Sequence, residues 1–558
     1  MTDKTEELIL KFALQNAVKY GGKANPGSVI PKVLGADPSL KADMKALVQK
    51  ITEVVSRVNK MPVEEQTTKL REIAPELLEK KHEERNIFGF YDIKPGEKIR
   101  TAFPPGPEKY PHIGHAKALI LNFLLAKQYT GEFYLRFEDT NPKLVKKEFY
   151  EIMQENFHWL GVEWTKLQYA SDNMPLFYEL AERLIKEGKA YMCFCEIEIA
   201  RGNRAKGLAC KCREKTAEQN LADWKQFPLL KEGDASLRLK IDLEHQNTTM
   251  RDPTIFRIID TPHARLGTKY RVWPNYDFQN SVMDGYYGIT HRIRSKEFEM
   301  RAELQRWIQK NLGLTITNTY EMARFNMVGV ESSGRLIREK IANKELIGWD
   351  DPSLTTIVAL RRRGFVPEAI KDFVVSTGIS KSESTLTWDD LVIHNRKVLD
   401  NTAKRFFMLV EPVEVKIAGA PEAEHELNLN PNEKKGGRKL RTTERFLLQK
   451  GDIERIKEGE LVRLMDCLNF RNEKGRYAFD SSEYLKFRGR GNLIIHWLPA
   501  GDNIDIEVMM PDKSMIKGFA EPTLKMLKEG EIIQFERFGF CRLDSIEGKV
   551  YKFWYAHK

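Results

Sequence analysis

Between residues 98 and 142 the chain changes texture in a way that few architectures accept. Lys98 to Phe103 reads as a short strand, and Pro104-Pro105-Gly106-Pro107 breaks it at once. A helix follows from about Gly114, with Ala118, Leu119, Leu121, Leu124 and Leu125 on its buried side. A second strand, Phe133 to Phe137, runs into Glu138-Asp139-Thr140-Asn141-Pro142, and another helix starts beyond it. Strand and helix alternating at this spacing predict a parallel α/β sheet. Ligands bind such sheets beyond the C-terminal ends of the strands. Both unusual loops, 104–115 and 138–142, fall there.

The rest of the chain has other textures. Leu8, Ile9, Phe12, Ala13 and Ala17, and then Met44, Leu47, Val48, Ile51, Val54, Val55 and Val58, recur at helical spacing, with Asn25-Pro26-Gly27 between them and Ser39 as the expected N-cap of the second run. Residues 1–94 therefore read as a helical appended domain without a catalytic pattern, suited to docking on a protein partner. Residues 190–270 are irregular and carry four cysteines; 320–400 read helical, with Arg361-Arg362-Arg363 as a basic run. Asn430 to Thr443 reads as a basic loop, and short alternating segments such as Leu493 to Trp497 and Ile532 to Arg537 have β-barrel texture.

Composition narrows the class. With 558 residues, 41% hydrophobic and 30% charged, the chain has room for roughly three to five domains and is globular rather than disordered. The longest nearly apolar stretch, Ala118 to Ala126, is broken by Asn122 and falls far short of the roughly 20 residues that span a bilayer. The first residues, Met1 to Glu7, lack the pattern of a secretory signal. Six cysteines in such a length do not make a disulfide scaffold, so a cytoplasmic location is expected and clustered cysteines suggest metal. The net charge of +10 permits a polyanionic partner.

His112-Ile113-Gly114-His115 opens a helix directly after a strand and a Pro/Gly turn. A helix N-terminus offers unpaired N–H groups to phosphate, Gly114 admits a nucleotide close to the backbone, and two histidines three apart share a face. With its surroundings, Phe103-Pro104-Pro105-Gly106-Pro107 and Tyr110 through Ala118, this stretch resembles the HIGH motif of class I aminoacyl-tRNA synthetases, in the glutamyl/glutaminyl branch. Arg136-Phe137-Glu138-Asp139-Thr140-Asn141-Pro142, Tyr276-Asp277-Phe278, Gly288-Ile289-Thr290-His291, Gly348-Trp349-Asp350-Asp351-Pro352 and Gln534 to Phe540 follow in family order, so the resemblance covers about residues 95–558.

That resemblance implies a multidomain α/β plus all-β protein. A Rossmann-like catalytic core at 95–325 would carry an acceptor-stem-binding insertion at about 190–270, followed by a helical connector at 326–405 and two anticodon-binding β-barrels at 406–558. It implies activation of an amino acid by ATP with Mg²⁺ and transfer to the 3′ end of tRNA. His112 and His115 would steady the α-phosphate; Pro104, Gly114, His115 and Lys117 would frame ATP; Glu138 would accept from the substrate α-ammonium and Tyr276 would pack on it. Arg294 falls where the glutamyl branch carries a substrate-contacting arginine, which points to L-glutamate and tRNA(Glu), with a glutaminyl enzyme as the alternative.

Two departures stand out. The family's substrate-contacting arginine before the strand-end Phe is Ala102 here, and Arg100 shares that side of the strand. The KMSKS loop, counted back from Gly348, falls at 331–335, with Ser333 retained and Arg335 as the candidate phosphate cation. Both keep open a catalytically weak paralogue serving in RNA binding. Cys193, Cys195, Cys210 and Cys212 form a C-x-C…C-x-C set suited to structural Zn²⁺, or remain reduced thiols in a loop, while Cys467 and Cys541 read as core. Asp284 matches an acceptor-stem contact, and Arg438, Arg441, Arg488 and Arg490, interleaved with Tyr484 and Phe487, suit an unstacked anticodon.

Overall fold

A computed structural model describes residues 3–74, 77 and 86–558, so Met1 and Thr2 of the N-terminal reading lie outside the described residues. The chain splits into two compact units at Gly89/Phe90. The first contains α1 (Asp3–Lys19), α2 (Pro26–Ala36), α3 (Met44–Val58) and α4 (Val63–Ile73). Ile9, Ala13, Leu47, Ile51 and Val55 meet in its core, as their helical spacing requires. Asn25 caps α2 by accepting from Gly27 N. The expected cap Ser39 does not start α3. It lies in a 3₁₀ turn and its hydroxyl donates to Asp37, while Asp43 accepts from Ala46 N and caps the helix.

In the second unit, β1 (Arg100–Phe103), α5 (Ile113–Gln128), β2 (Glu132–Phe137), α6 (Glu148–Trp159) and β3 (Lys166–Tyr169) alternate as the sequence predicts. After α7 (Met174–Lys186) the chain builds an antiparallel sheet from β4 (Ala190–Cys193), β5 (Ser236–Leu239), β6 (Thr254–Ile258) and β7 (Val272–Pro274), with α8 (Ile197–Lys206) and α9 (Ala217–Gln226) beside it. It then returns through α10 (Tyr276–Tyr286), β8 (His291–Ser295), α11 (Arg301–Asn311) and β9 (Asn318–Met322). The core sheet is parallel throughout, in the order β3-β2-β1-β8-β9. The chain moves outward from β1 in one direction and later in the other, so β1 and β8 flank the topological switch point.

Asn122, the polar residue inside the apolar face of α5, has a packing role. Its amide donates to Ile293 O at 2.7 Å and accepts from Ile293 N at 3.0 Å, which pins the helix to β8.

Beyond the sheet, α12 (Gly334–Ala342), α13 (Ile357–Arg363), α14 (Pro367–Ser376) and α15 (Trp388–Thr402) form the helical segment. Two seven-stranded sheets follow. Lys404–Phe406 and Met408–Leu409 join the strands of residues 504–557, and strands within 412–418 and 445–499 form the other sheet. The expected loop at 430–443 is instead a strand, Glu433–Thr442, paired antiparallel with Ala423–Asn430. Glycine and lysine are poor strand formers, but a two-stranded ribbon leaves one face in water, where such residues cost little.

Candidate functional site

A cavity of about 640 Å³ lies beyond the C-terminal ends of β1 and β8, at the switch point. Pro104, His112, Gly114, His115 and Lys117 line one side; Glu138, Tyr276, Arg292 and Arg294 line the other. The α5 end is clamped to the helical segment, because Ile113 N donates to Thr355 O at 2.9 Å and Ile357 N donates to Pro111 O at 2.8 Å. The histidines are tied to the backbone: Gly114 N donates to His112 Nδ1 at 3.1 Å and His112 N donates to His115 Nδ1 at 3.2 Å. Gly114 is required there, since a Cβ would sit 2.9 Å from His112 Cε1. These bonds correct the expectation of free N–H groups, because Ile113, Gly114 and His115 have all spent theirs within the protein. The imidazoles are left to meet a ligand. Burial lowers the pKa of His112 to about 3 and that of His115 well below its ordinary value, so both are neutral at pH 7.

The opposite wall is a buried charge network. Asn280 Nδ2 donates to Glu138 Oε1, and burial raises the Glu138 carboxyl to about 7. Tyr276 packs against Phe298 with ring centroids 5.2 Å apart, and burial lifts its phenol to about 12. Asp284 lies in the interior, accepting from Arg136 Nη2 and Arg292 Nη1 at 2.6 Å each. The paired arginines hold its carboxyl below the usual range against the cost of burial. It therefore cannot reach RNA, and the expected acceptor-stem contact is replaced by an internal one. Arg294 lines the cavity, but its guanidinium is neutralised by Glu321 at 3.1 Å and also donates to Gln305 Oε1 at 2.5 Å. Arg100 does not substitute for the missing arginine at Ala102, because Glu132 and Tyr287 O hold it.

Toward α12, Ser333 caps the helix by accepting from Leu336 N, and it is Ser332 that lines the cavity. Arg335 is exposed and outside the lining. Lys117 donates to Ala323 O at 2.9 Å and stands over the Phe325 ring, with burial lowering its ammonium to about 8. A cation that faces the cavity beside α12 is Lys109, which sequence reasoning passed over inside the Pro-rich turn. Its stem lies against Gly334, where a Cβ would come within 2.8 Å of Lys109 Cδ. Among the described residues no carboxylate pairs with its ammonium, which burial holds below the usual lysine range. Arg292 on β8, Gln279 on α10 and Asn280, which bonds Glu138 from behind, were likewise missed, since nothing in a single sequence marks which polar residues of a strand or helix turn toward a pocket.

At the end of β4, where Cys193 and Cys195 meet the 3₁₀ turn carrying Cys210 and Cys212, the four sulfurs all lie within 4.8 Å of one another. A tetrahedral zinc–thiolate site with bonds of about 2.3 Å has edges of about 3.8 Å, so the four fit such an ion with small inward shifts. Cys467 and Cys541 are buried in the β-rich region. Of the expected anticodon residues, Arg441, Arg488 and Arg490 are exposed, as is Tyr484. Arg438 is not: 2% exposed, it donates from Nη2 to Glu521 at 2.6 Å and from Nη1 to Glu536 at 3.2 Å. It is an internal ion pair that ties the two-stranded ribbon to the loops of the 504–557 sheet rather than an RNA contact.

Comparison with known proteins gives three family matches along the chain. The catalytic domain of class I tRNA synthetases (E and Q) matches residues 98–401, and anticodon-binding domains of the same class match 403–486 and 494–544. A glutamate–tRNA ligase of Pyrococcus abyssi is 41% identical over 571 residues, spanning 100% of both chains. One from Thermococcus kodakarensis is 39% identical over 572 residues, again spanning 100% of both. Among solved structures, a glutamate tRNA ligase from Elizabethkingia meningosepticum is similar over 54% of this chain and 70% of that one, at 18% identity and a TM-score of 0.41.

Proposed function

The chain belongs to the class I glutamyl/glutaminyl-tRNA synthetases, with archaeal glutamate–tRNA ligases among its relatives, and on that premise we propose how its cavity divides the work. The reaction is the ATP-dependent aminoacylation of tRNA with glutamate. The α-carboxylate of glutamate attacks the α-phosphorus of ATP and diphosphate leaves. A hydroxyl of the terminal ribose of tRNA then attacks the acyl carbon and AMP leaves.

The observation that carries this reading is the pairing, across one cavity, of neutral His112 and His115 with the buried Glu138–Arg292 wall. ATP lies along Pro104, Gly114 and the two histidines, whose N–H groups meet the phosphoryl oxygens where charge develops. Lys109, rather than Arg335, faces the outer phosphates, and Mg²⁺ enters with them. Glu138 receives the α-ammonium of glutamate and Tyr276 covers it. Zinc in the four-cysteine set is structural: four protein ligands leave no open coordination position. Its sheet is the candidate acceptor-stem platform, and the exposed Arg441, Arg488 and Arg490 with Tyr484 are candidates for the anticodon.

The helical unit ending at Gly89 is the candidate docking module for another protein. A cytoplasmic location agrees with the finding that no described helix is long and apolar enough to cross a membrane.

The test is ATP–diphosphate exchange with glutamate, with glutamine as control, then glutamate transfer to tRNA. Exchange with glutamate alone is expected. Folded, zinc-loaded protein without exchange under any condition would favour the RNA-binding paralogue.

A further inference from the structure

Arg292 is over-supplied with hydrogen-bond donors for the partners it has. It is 2% exposed, its Nη1 donates to Asp284 and Asn280, and its Nε is buried with no partner among the described residues. Gln279, on the same cavity, repeats the pattern. Its Oε1 accepts from Thr140 and its Nε2 is buried with no partner among the described residues. Buried donors left unsatisfied are rare because each costs free energy. Two of them lining one cavity call for an acceptor that arrives from outside.

The charge balance says what kind. Arg136 and Arg292 share the carboxylate of Asp284, with Glu138 3.9 Å from Arg136, and Arg294 is already matched by Glu321. Glu138, the carboxyl beside them, is pushed up to about 7 by burial and is only about half ionised at neutral pH, so Arg136, Arg292, Asp284 and Glu138 together keep a net positive charge there. The side-chain carboxylate of glutamate answers a positive charge, and the amide of glutamine does not.

The sheet explains how this arginine came to be there. β1 and β8 pair in parallel with Thr101 opposite His291, so Ala102 and Arg292 are the next neighbours in register and project on the same face. Adjacent strands lie about 4.8 Å apart, so two long side chains at these positions would compete for one volume. Ala102 is fully buried and contributes only a methyl group. Building on the site reading above, we propose that Arg292, with Gln279 beside it, receives the side-chain carboxylate of glutamate, the guanidinium having moved one strand across the sheet from position 102 to position 292.

Three variants test this in the exchange assay. Arg292→Val should raise KM for glutamate at least about 30-fold, the loss expected when one partner of a buried charge pair is removed, while KM for ATP changes less than about 2-fold. The preference for glutamate over glutamine should fall in parallel. Arg292→Lys keeps the charge but loses the fork, and should raise KM for glutamate about 10-fold even if the valine variant fails to fold. The double variant Ala102→Arg/Arg292→Val returns the guanidinium to β1 and should recover most of the lost affinity. Unchanged KM for glutamate in the valine or lysine variant would overturn the proposal, as would equal losses toward glutamate and ATP that Ala102→Arg does not reverse. The wild-type enzyme separates the two readings: no glutamate exchange there removes the site reading itself, whereas wild-type exchange with an indifferent Arg292 removes only this inference.

Discussion

Replacing Arg438 with methionine separates an internal support from an RNA contact. The guanidinium makes two bonds to Glu521, at 2.9 and 2.6 Å, and one to Glu536, and it stands 4.5 Å over the Phe407 ring. Glu521 is fully buried. Without Arg438 its carboxylate keeps, among the described residues, Phe407 N and the Thr523 hydroxyl as donors and no ion-pair partner. Breaking a buried pair from one side costs about 3–5 kcal/mol. A cooperative unit the size of the β-rich region shifts by about 2–4 °C per kcal/mol, so its melting transition should fall by about 6–20 °C. Calorimetry of Arg438→Met reads the shift directly. Aminoacylation at a temperature where the variant is folded should retain the wild-type KM for tRNA and its salt dependence. A variant that melts like the wild type but binds tRNA more weakly, with a shallower salt slope, would refute the reasoning.

Other perturbations follow from the same geometry. Because the folded pKa of Glu138 is raised from 4.5 to about 7, its burial favours the fold below pH 4.5 and that contribution is lost as pH rises through 7. The substrate ammonium favours the ionised form, so KM for glutamate should fall by up to about tenfold per pH unit below 7 and level off above; a pH series on Glu138→Gln should be flat by comparison. Lys109→Ala should slow exchange by about 10²-fold, the scale of one lost phosphate-facing donor, whereas Arg335→Ala should leave it within about 2-fold, measured by steady-state exchange at saturating glutamate. Stripping zinc should release one ion per chain, expose four titratable thiols and impair transfer to tRNA more than exchange, since the four cysteines lie at the edge of the antiparallel sheet and not on the cavity wall.

The sequence makes plain whatever rests on local periodicity. The strand–helix alternation at 98–142 and the helical faces of α1 and α3 are such features, because side-chain spacing alone decides them. Position along the chain also locates the histidine loop and Glu138. What it hides depends on pairing across distance. Arg438 sits in a stretch of lysines and glycines that looks solvated, and only the apposition of Glu521, far along the chain, turns it inward. Asp284 looks equally free until Arg136 and Arg292 converge on it. Ser39 reads as the cap of α3, but it lies inside a 3₁₀ turn, Pro38–Asp43, whose last residue caps the helix instead. The vacancy at Ala102 is visible in the sequence, but its neighbour in the sheet is set by a strand pairing that spans nearly two hundred residues.

The cap of α5 carries a consequence for proton placement. Both His112 and His115 use Nδ1 to accept from a backbone N–H, and burial keeps both rings neutral. A neutral imidazole has one hydrogen, and an accepting Nδ1 leaves it on Nε2. The fold thereby fixes one tautomer for each ring before any nucleotide arrives, without a carboxylate partner to do so. Each Nε2–H is a standing donor that needs no proton from solvent at any pH where the protein is folded and the rings stay uncharged. The turn that ends the first strand and starts the first core helix thus also sets the polarity of the nucleotide site.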